Sequence, residues 1–535
     1  MNTINKNFIP QDGLAGLKEN FGKDLLSGFM VSLLALPLSL GIAKASDFPN
    51  PMYGVLTAII GGVVVSFLAG SQLTIKGPAA GLIVIVSGSI AEFGGGEHGW
   101  QLTLGVIVVA AVVQFLFGLF KLGKLSDFFP LSAVHGMLAA IGLIIIAKQL
   151  YVLLGLSTSG PDGHPITSPF GLLGNLPFAI SHASNNMPIV IVGATALAIV
   201  LLLPMVKNPI IKKIPAPMVV LLVVIPLGVY LNLKDIKGGV LKFDKSFVEI
   251  VGFNASFEGV KNIGVFVKYV ILFAIIGSLE SLLTVKAIDM LDPFRRKSDY
   301  NKDIIAVGLG NGIAALLGGI PMISEVARSS ANVNNGARTR WANFFHGACL
   351  LMFMLFLMPV IQMIPNAALA ALLIGVGIKL AHPKEFIHAL HIGKEQFLIF
   401  VVTIFFTLFE DLLVGIAAGI VTELIVNIIN GRTFAAMFKA PTTVEESEFN
   451  EYYVNINDAA VFSNFLGIKN KLYNLPKEKN VTINLSNTKL IDHSAMEGLH
   501  LFKHDYEESG GKVVVVGLDN HTPFSNHEFA ARKQS

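Results

Sequence analysis

Cysteine and charge are both scarce in this chain. Its 535 residues include one cysteine, Cys349, which excludes an intramolecular disulfide and fits a small buried side chain. Charged residues make up only 14% of the chain, whereas about 25% is usual for soluble proteins. This shortage of charge excludes an ordinary soluble protein, and nothing in the composition suggests binding to nucleic acid.

Hydrophobic residues take the place of the missing charge. They make up 53% of the chain, the mean hydropathy is +0.66, and they form runs of about 20 residues, enough to cross a bilayer. The polar N-terminal segment 1–23 lacks the apolar core and cleavage site of a secretory signal, so the first span is expected to act as an uncleaved insertion signal. We predict a polytopic α-helical membrane protein of about 14 transmembrane segments, near 25–43, 53–69, 78–92, 102–120, 131–155, 187–205, 217–232, 264–284, 303–319, 324–334, 343–363, 366–380, 396–409 and 412–430.

The positive-inside rule predicts the orientation of these spans. An even number of spans puts both termini on one side, and the charges favour the cytoplasm. The predicted outside loop 156–186 has no Lys or Arg, whereas loop 233–262 disagrees because it would lie outside with five lysines, offset by acidic residues. The basic residues of the predicted inside loops are Lys121, Lys124, Lys207, Lys212, Lys213, Arg295, Arg296, Lys297, Arg338, Arg340, Lys379 and Lys384.

The last part of the chain has a different character. Residues 440–535 hold nine Lys and Arg against thirteen Asp and Glu. The β-rich runs YYVNI, VTINLS and KVVVVGL alternate with amphipathic helical patterns, which predicts a small α/β domain at 446–535 after a transmembrane domain at 24–432. His493, His500 and His504 could share one helix face, but without a cysteine or a third well-placed ligand we predict an exposed polar face and no metal site.

Two places interrupt the hydrophobic pattern in similar ways, at 71–90 and at 321–340. Each follows a glycine-rich span, opens with Pro, Gly or Ser, and continues as a helix too short or too polar to cross alone. Matching interruptions in two halves of a chain are typical of an inverted-repeat transporter with its site near the midplane. Helix starts carry unbonded N–H groups and a dipole that favours anions. The alternative is two kinked spans without a ligand.

Several motifs in this order resemble those of one family. They are DLLSGFMVSLLALPLSLGIA at 24–43, GPAAGLIVIV at 77–86, GSLESLLT at 277–284, RSSANVNNGARTR at 328–340 and EDLLVGIAAGI at 410–420. The chain resembles the SulP anion transporters, and LIDHSAMEGL at 490–499 resembles the signature of a STAS domain. The resemblance implies fourteen segments in two inverted repeats of seven, core and gate domains, elevator-like movement, a cytoplasmic STAS domain and a homodimer.

The resemblance also implies a position for the anion, between the starts of the third and tenth segments. Arg328 would supply positive potential there; its alternative role is to pair with a carboxylate or to cap carbonyl groups. Ser39 could face the same cavity, although Leu38 stands where relatives commonly have Gln. The substrate-binding residues implied are Gly77, Pro78, Ala79, Ala80, Ser324, Glu325, Val326, Arg328 and Ser39.

A lone carboxylate stands in the middle of the apolar helix FAIIGSLESLLTVKA. A buried Glu280 must be neutralised or must meet a cation. In bicarbonate-transporting relatives the matching position is acidic and helps to bind Na⁺ with a hydroxyl one turn later, which Thr284 matches. The resemblance implies a coupling-ion site for Na⁺ or H⁺ at Glu280, Thr284 and Ser324, and no other cofactor. The alternative is a structural pair of Glu280 with Arg328 or Lys286.

Two further positions, Glu325 and Ser494, stand out in the sequence. Glu325 departs from the family pattern, because most relatives have a small residue at that helix start and a permanent negative charge would repel the substrate. It is expected to be protonated during transport or to pair with Arg328 three residues on. In the tail, Ser494 follows Asp492 and aligns with the serine that is phosphorylated in bacterial anti-sigma antagonists, which makes it a candidate phosphosite.

We therefore predict a cation-coupled importer of a small oxyanion, bicarbonate or sulfate, in the plasma membrane. The alternative is an anion channel or exchanger for chloride or dicarboxylates with a regulatory STAS domain. The spans show no nucleophile–base pair or metal cluster, so an enzyme is not predicted.

Overall fold

The computed structural model describes residues 9–123, 129–161, 166, 168–208, 214–439, 441–447 and 451–535. Lys124, Lys212 and Lys213, which contribute to the predicted orientation, lie outside the described residues. The helices are α1 (Gly13–Ala45), α2 (Met52–Val63), α3 (Ile83–Glu92), α4 (Gly96–Leu119), α5 (Leu131–Leu153), α6 (Pro169–Gly174), α7 (Leu176–His182), α8 (Met187–Leu202), α9 (Ala216–Tyr230), α10 (Phe247–Ile250), α11 (Ile263–Leu291), α12 (Tyr300–Leu316), α13 (Val326–Asn334), α14 (Trp341–Phe356), α15 (Met358–Ile361), α16 (Asn366–Leu380), α17 (Pro383–Ile392), α18 (Lys394–Phe409), α19 (Leu412–Ile429), α20 (Phe434–Met437), α21 (Phe462–Tyr473) and α22 (His493–Glu508). The strands are β1 (Lys76–Pro78), β2 (Met322–Ser324), β3 (Thr442–Glu446), β4 (Glu451–Ile456), β5 (Asp458–Ala460), β6 (Asn480–Asn484), β7 (Thr488–Ile491), β8 (Lys512–Val516), β9 (His521–Pro523) and β10 (Arg532–Gln534).

Many of these helices are apolar. By length and composition, seven helical stretches in the described part of the chain are able to cross a membrane: Gly13–Ala45, Gly96–Leu119, Leu131–Leu153, Leu176–Met205, Ile263–Leu291, Asn366–Ile392 and Leu412–Ile429. Four shorter apolar helices accompany them, at Met52–Phe67, Ala80–Glu92, Ala216–Tyr230 and Trp341–Phe356. The chain is therefore a multi-pass membrane protein, while the number fourteen stays a prediction.

The first helix begins at Gly13, well before the predicted span start near Leu25. Asp12 caps this helix by accepting a hydrogen bond from the Gly13 backbone N at 2.7 Å. Polar residues in its first half are buried and bonded; for example, Asp24 accepts from the Arg338 backbone N at 2.7 Å. Hydropathy alone misses this part of the helix, because its polar groups find partners far along the chain.

The two interrupted segments pair with each other. Strand β1 lies antiparallel to β2, in the register Lys76↔Ser324, Gly77↔Ile323 and Pro78↔Met322. Each strand follows a glycine-containing helix, α2 or α12, and precedes a short helix, α3 or α13. We call the pair β1–β2 the ribbon. It places the starts of two short helices side by side within a set of apolar helices, where non-helical backbone is tolerated only if it is buried in protein or lines a cavity.

The chain divides into two compact units, and the predicted domain boundaries 24–432 and 446–535 stay a prediction. The first comprises Met1–Gly123 with Ile141–Lys379, and the second Lys124–Ala140 with Leu380–Ser535. The first unit contains the ribbon and α1–α4. One of its apolar clusters joins the end of α1 to α8, α9 and α16, through residues that include Leu38, Ile189, Val192, Val220, Ala367 and Ala371.

The second unit contains α17–α19 and an α/β part. The β-rich runs recognised in the sequence form β4, β6 and β8, which are parallel neighbours in a four-stranded sheet with β3 antiparallel at the edge of β4. A second four-stranded sheet has the order β5–β7–β10–β9. Helices α21 and α22 bury apolar side chains in the same core, including Phe465, Ile468, Leu472, Leu499 and Phe502.

One buried carboxylate joins the starts of both helices in this core. Asp492 accepts from the Ala495 backbone N at 2.8 Å at the start of α22 and from the Phe462 backbone N at 2.5 Å at the start of α21. Burial raises the pKa of Asp492 to about 7, against the opposing effect of these backbone hydrogen bonds. The carboxyl group therefore favours its neutral form more strongly in the folded protein than in the unfolded chain.

This shift predicts how stability depends on pH. Because the folded pKa of Asp492 is raised from 3.8 to about 7, the folded state holds the proton more tightly between these values. The free energy of unfolding should fall as pH rises through this range, by at most about 4 kcal/mol, and level off above it. Thermal unfolding of the full chain in detergent measures this. Asp492→Asn should flatten the profile, whereas the exposed control Asp519→Asn should not; an unchanged profile in Asp492→Asn would assign it to another group.

Candidate functional site

A buried ion pair holds one end of the ribbon. Lys76 Nζ lies 2.8 Å from Asp303 Oδ1 on α12, and the two side chains are 0% and 1% exposed. Ser324, opposite Lys76 on β2, donates its hydroxyl to Asp303 Oδ2 at 3.1 Å, and the Ser71 backbone N donates to Oδ1 at 3.2 Å. Lys76 Nζ also donates to Thr74 Oγ1. Both strands are therefore joined to α12 through one carboxylate.

An amide side chain holds the other end. Asn311 of α12 accepts from the Met322 backbone N at 2.6 Å and donates to its carbonyl oxygen at 3.1 Å. The same amide donates to Gln114 Oε1 at 2.8 Å. Lys76, Asp303 and Asn311 are not among the site residues that the sequence predicts. The available signal was the presence of isolated polar residues in an otherwise apolar segment.

Two glycines let charged side chains approach the β1 segment closely. A Cβ atom at Gly77 would lie 2.3 Å from Arg328 Nη1, and one at Gly81 would lie 1.8 Å from Glu280 Oε1. The guanidinium therefore lies against β1, and the Glu280 carboxyl lies against the short helical segment that follows it. The structure thus brings together the predicted residues of the third and tenth segments. Those of the third segment, Gly77, Pro78, Ala79 and Ala80, are all buried.

Arg328 is fully buried, and its Nε, Nη1 and Nη2 atoms have no hydrogen-bond partner among the described residues. The Glu325 Oε2 atom lies 3.9 Å from Nε, too far for a hydrogen bond. His346 of α14 interacts electrostatically with Arg328 and is also buried, with neither ring nitrogen bonded within the described part. A buried cation with unused donors is costly, so this arrangement suits an anion or ordered water.

Glu325 occupies the start of α13. It is the N-cap residue, and its Oε2 atom accepts from the Arg328 backbone N at 2.7 Å. The predicted pairing with Arg328 therefore forms through the backbone, with the guanidinium at a longer distance. The helix start that was predicted to receive the anion is partly occupied by the chain's own carboxylate.

The predicted coupling residues are only partly assembled. Glu280 and Thr284 are buried one turn apart on α11, and the intervening Ser281 accepts from the Ser324 backbone N at 3.1 Å. Glu280 Oε1 has no partner in the described ranges, and Glu280 interacts electrostatically with Glu325. No hydrogen bond joins Glu280 to Arg328, since all three Arg328 side-chain nitrogens lack a hydrogen-bond partner there.

The remaining predicted residues lie apart from these contacts. Ser39 is buried on α1, its Oγ without a partner among the described residues, and its carbonyl packs against Gly54 of α2. Val326, the first residue of α13, is half exposed. In the second unit, Ser494 Oγ accepts from the Leu131 backbone N at 3.3 Å. His493 Nδ1 lies 2.9 Å from the Phe529 carbonyl oxygen, so this ring nitrogen is engaged.

In this structure, paired strands interrupt the apolar helices, and buried charges lie at the interruption. These features define the class of helical membrane transporters. A model of the sulfate permease family matches residues 21–403. The chain belongs to this family.

Curated relatives and solved structures agree with this assignment. The chain is 27% identical to the bicarbonate transporter BicA of Picosynechococcus sp., over 75% of this chain and 69% of the relative. It is 22% identical to high affinity sulfate transporter 2 of Stylosanthes hamata, over 94% of this chain and 80% of the relative. It is similar in fold to the overall structure of SLC26A9, with a TM-score of 0.67, 15% identity, and coverage of 94% of this chain and 85% of the other.

Proposed function

We propose that this protein is a secondary active transporter of a small inorganic oxyanion, bicarbonate or sulfate. The observation that carries the proposal is the fully buried Arg328 guanidinium, which lies against Gly77 with its side-chain nitrogens unbonded within the described residues. An oxyanion offers the negative charge and the several acceptor oxygens that a guanidinium requires. The names of the relatives, a bicarbonate and a sulfate transporter, favour these two substrates.

The proposed architecture follows the family. A transmembrane domain at 24–432, with fourteen segments in two inverted repeats, would divide into core and gate domains and move in an elevator-like way. The two matching interruptions and their pairing support the repeats. A cytoplasmic STAS domain at 446–535 is supported by the α/β topology and by a fold similarity that covers 94% of this chain. We further propose a homodimer in the plasma membrane with both termini cytoplasmic.

Ser494 is the proposed regulatory phosphosite. Its hydroxyl accepts a hydrogen bond from the Leu131 backbone N, next to the buried Asp492 carboxyl. A phosphate there would add about two negative charges beside that carboxyl. It would therefore alter the contacts between α22 and the start of α5, both in the second unit.

The transport itself is proposed to be a symport of the anion with Na⁺ or H⁺. Glu325 supports the coupling, because its carboxylate accepts from the Arg328 backbone N at the helix start meant for the anion. The anion gains access to that start when the carboxylate is neutralised or displaced. Neutralisation by a proton would therefore bind proton and anion in the same transport cycle.

Replacement of Glu325 tests this coupling. In Glu325→Gln the side chain still offers an oxygen to the Arg328 backbone N but carries no charge. We expect oxyanion uptake by proteoliposomes to lose most of its pH dependence and to exceed wild-type uptake at alkaline pH. The exposed control Glu410→Gln should keep the wild-type profile. Unchanged uptake and an unchanged pH profile in Glu325→Gln would show that this carboxylate has no coupling role.

Substrate and gradient are tested together. Radiolabelled bicarbonate and sulfate are supplied to proteoliposomes containing the full chain, each with and without Na⁺ and a pH gradient. Saturable uptake of one anion that requires a cation gradient is the expected result. An ohmic anion current that needs no cation gradient would contradict the carrier and favour a chloride or dicarboxylate channel or exchanger.

A further inference from the structure

A loop of the α/β part contacts an apolar helix within the second unit. Residues 524–529 connect the antiparallel strands β9 and β10, and we call them the docking loop. Ser525 directs its hydroxyl to the carbonyl oxygens of His391 and Ile392, at 3.0 and 2.7 Å. These two residues end α17, which belongs to the apolar stretch Asn366–Ile392. The docking loop therefore holds the α/β part to the end of a candidate membrane span.

Two histidines fix the backbone of the docking loop at a single residue. The Phe529 backbone N donates to His527 Nδ1 at 3.1 Å. On the other side of the same residue, His493 Nδ1 of α22 lies 2.9 Å from the Phe529 carbonyl oxygen. A carbonyl oxygen only accepts, so His493 carries a proton on Nδ1. A backbone N–H only donates, so His527 Nδ1 carries none. The observed loop therefore requires a neutral His527 ring.

The carboxyl groups around the docking loop already face other imidazoles. The pairs are Glu385 Oε2 with His135 Nδ1 at 3.3 Å, Glu497 Oε2 with His493 Nε2 at 3.7 Å, and Glu528 Oε1 with His500 Nδ1 at 3.9 Å. Glu385 also interacts electrostatically with His388 and His382. Arg532 donates to the Glu528 carbonyl oxygen at 3.4 Å. Within the described part of the chain, no carboxylate forms an ion pair with His527 or His388.

The surroundings of His527 disfavour a positive charge. Its ring centroid lies 5.5 Å from that of His388 on α17, and it interacts electrostatically with His493. A proton on His527 Nδ1 would also point at the Phe529 backbone N–H, so that two donors would face each other. The protonated ring would therefore lose its hydrogen bond and gain no partner for its charge.

The other histidine of the loop does not respond in this way. Burial lowers the pKa of His493, against the hydrogen bond to Phe529 and the charge of Glu497, and the neighbouring His527 and His135 lower it further. A second proton on this ring would also leave its Nδ1 donor unchanged. His527 is only half-buried, and an imidazole that water can reach is the side chain that takes up a proton between about pH 5 and 8.

We propose that the docking loop is a pH-sensitive switch, which holds the α/β part to α17 while His527 is neutral and releases it when His527 takes up a proton. The proton comes from the solution on the side of the membrane that holds the α/β part, so the contact responds to the pH of that compartment. The inference goes beyond the proposed transport function, because no residue of the ribbon takes part in it.

Hydrogen–deuterium exchange of the full chain in detergent tests the switch without any transport measurement. Exchange in the docking loop is compared at pH 8 and pH 5.5, after correction for the effect of pH on intrinsic exchange. EDTA is present throughout, so that a metal ion bound by these histidines cannot produce the response. We expect protection of the loop to fall by about tenfold at pH 5.5, since one hydrogen bond is lost and one uncompensated charge is added. Equal protection at both pH values would overturn the proposal.

Two replacements of His527 separate its charge from its packing. In His527→Asn the amide oxygen can still accept from the backbone N two residues on but does not titrate, so we expect a protected loop at both pH values. In His527→Arg the positive charge is permanent, so we expect an unprotected loop at both. The exposed control His504→Asn on α22 should respond like the wild type. A wild-type pH response in His527→Asn, or no protection in it at pH 8, would contradict the proposal.

Discussion

Replacing Arg328 with methionine is expected to reduce oxyanion uptake by about 100-fold while leaving the unfolding temperature unchanged or raised. Loss of charge-assisted hydrogen bonds to an anion removes about 3 kcal/mol of binding, which corresponds to about two orders of magnitude in affinity. The unfolding temperature should stay the same or rise in this variant, because the buried guanidinium has no hydrogen-bond partner among the described residues. Methionine fills a similar volume without that desolvation cost.

Arg340 provides the matched control. Its guanidinium is also largely buried, but it donates to Asp12 at 2.9 and 2.8 Å and to the Ser66 and Ala69 carbonyl oxygens at 3.1 Å each. Arg340→Met should therefore lower the unfolding temperature clearly, because it leaves these acceptors unpaired. If Arg328→Met destabilises the protein as much as Arg340→Met does, Arg328 is a structural residue and the anion must bind elsewhere.

The second large effect is expected at Gly81. In Gly81→Ala the new methyl group would lie 1.8 Å from Glu280 Oε1, so either the carboxyl group or the start of the helical segment must move. Overpacking of this kind costs about 1–3 kcal/mol. We expect a lower unfolding temperature from this cost. We also expect about a tenfold loss of uptake, if the displaced group weakens anion binding by about 1.4 kcal/mol. Thermal unfolding and proteoliposome uptake measure both effects.

Gly312 offers a control in the neighbouring helix α12. A Cβ atom there would contact only the Ala111 Cβ at 3.7 Å, an ordinary distance, so Gly312→Ala should change neither measurement. Combining Gly81→Ala with Glu280→Ala should restore the unfolding temperature but not the uptake, since the clash and the carboxyl group are removed together. A Gly81→Ala variant with wild-type stability and uptake would show that Glu280 does not lie against this segment.

The interrupted segments illustrate what local sequence predicts. Glycine, proline and hydroxyl residues within apolar runs mark where a membrane helix must break, and both breaks are visible from composition and hydropathy alone. The β-rich runs of the tail are also recognisable from the sequence, and they form β4, β6 and β8. In each case the signal is a pattern over about 5 to 20 adjacent residues, which does not depend on distant contacts.

Pairing between distant residues could not be predicted in this way. Lys76 and Asp303 are 227 positions apart. The residues adjacent to each of them do not indicate that the two side chains form a pair. Ser324 is predicted as a cation ligand from its motif, and only the fold shows that its hydroxyl also donates to Asp303. Glu325 was recognised as an exception to the family pattern, although only the fold shows that its carboxylate accepts from the backbone at the start of α13.

The same separation has a consequence for biogenesis. During synthesis β1 leaves the ribosome long before α12 and β2 exist, so the Lys76 ammonium must enter the membrane region without its carboxylate partner. A lysine in that position strongly disfavours burial in lipid, so the early segments should remain next to water or the insertion machinery. Stable integration of the first half would then wait for α12. Chains that end before Asp303 would keep an uncompensated charge, which offers quality-control proteases a means of recognising them.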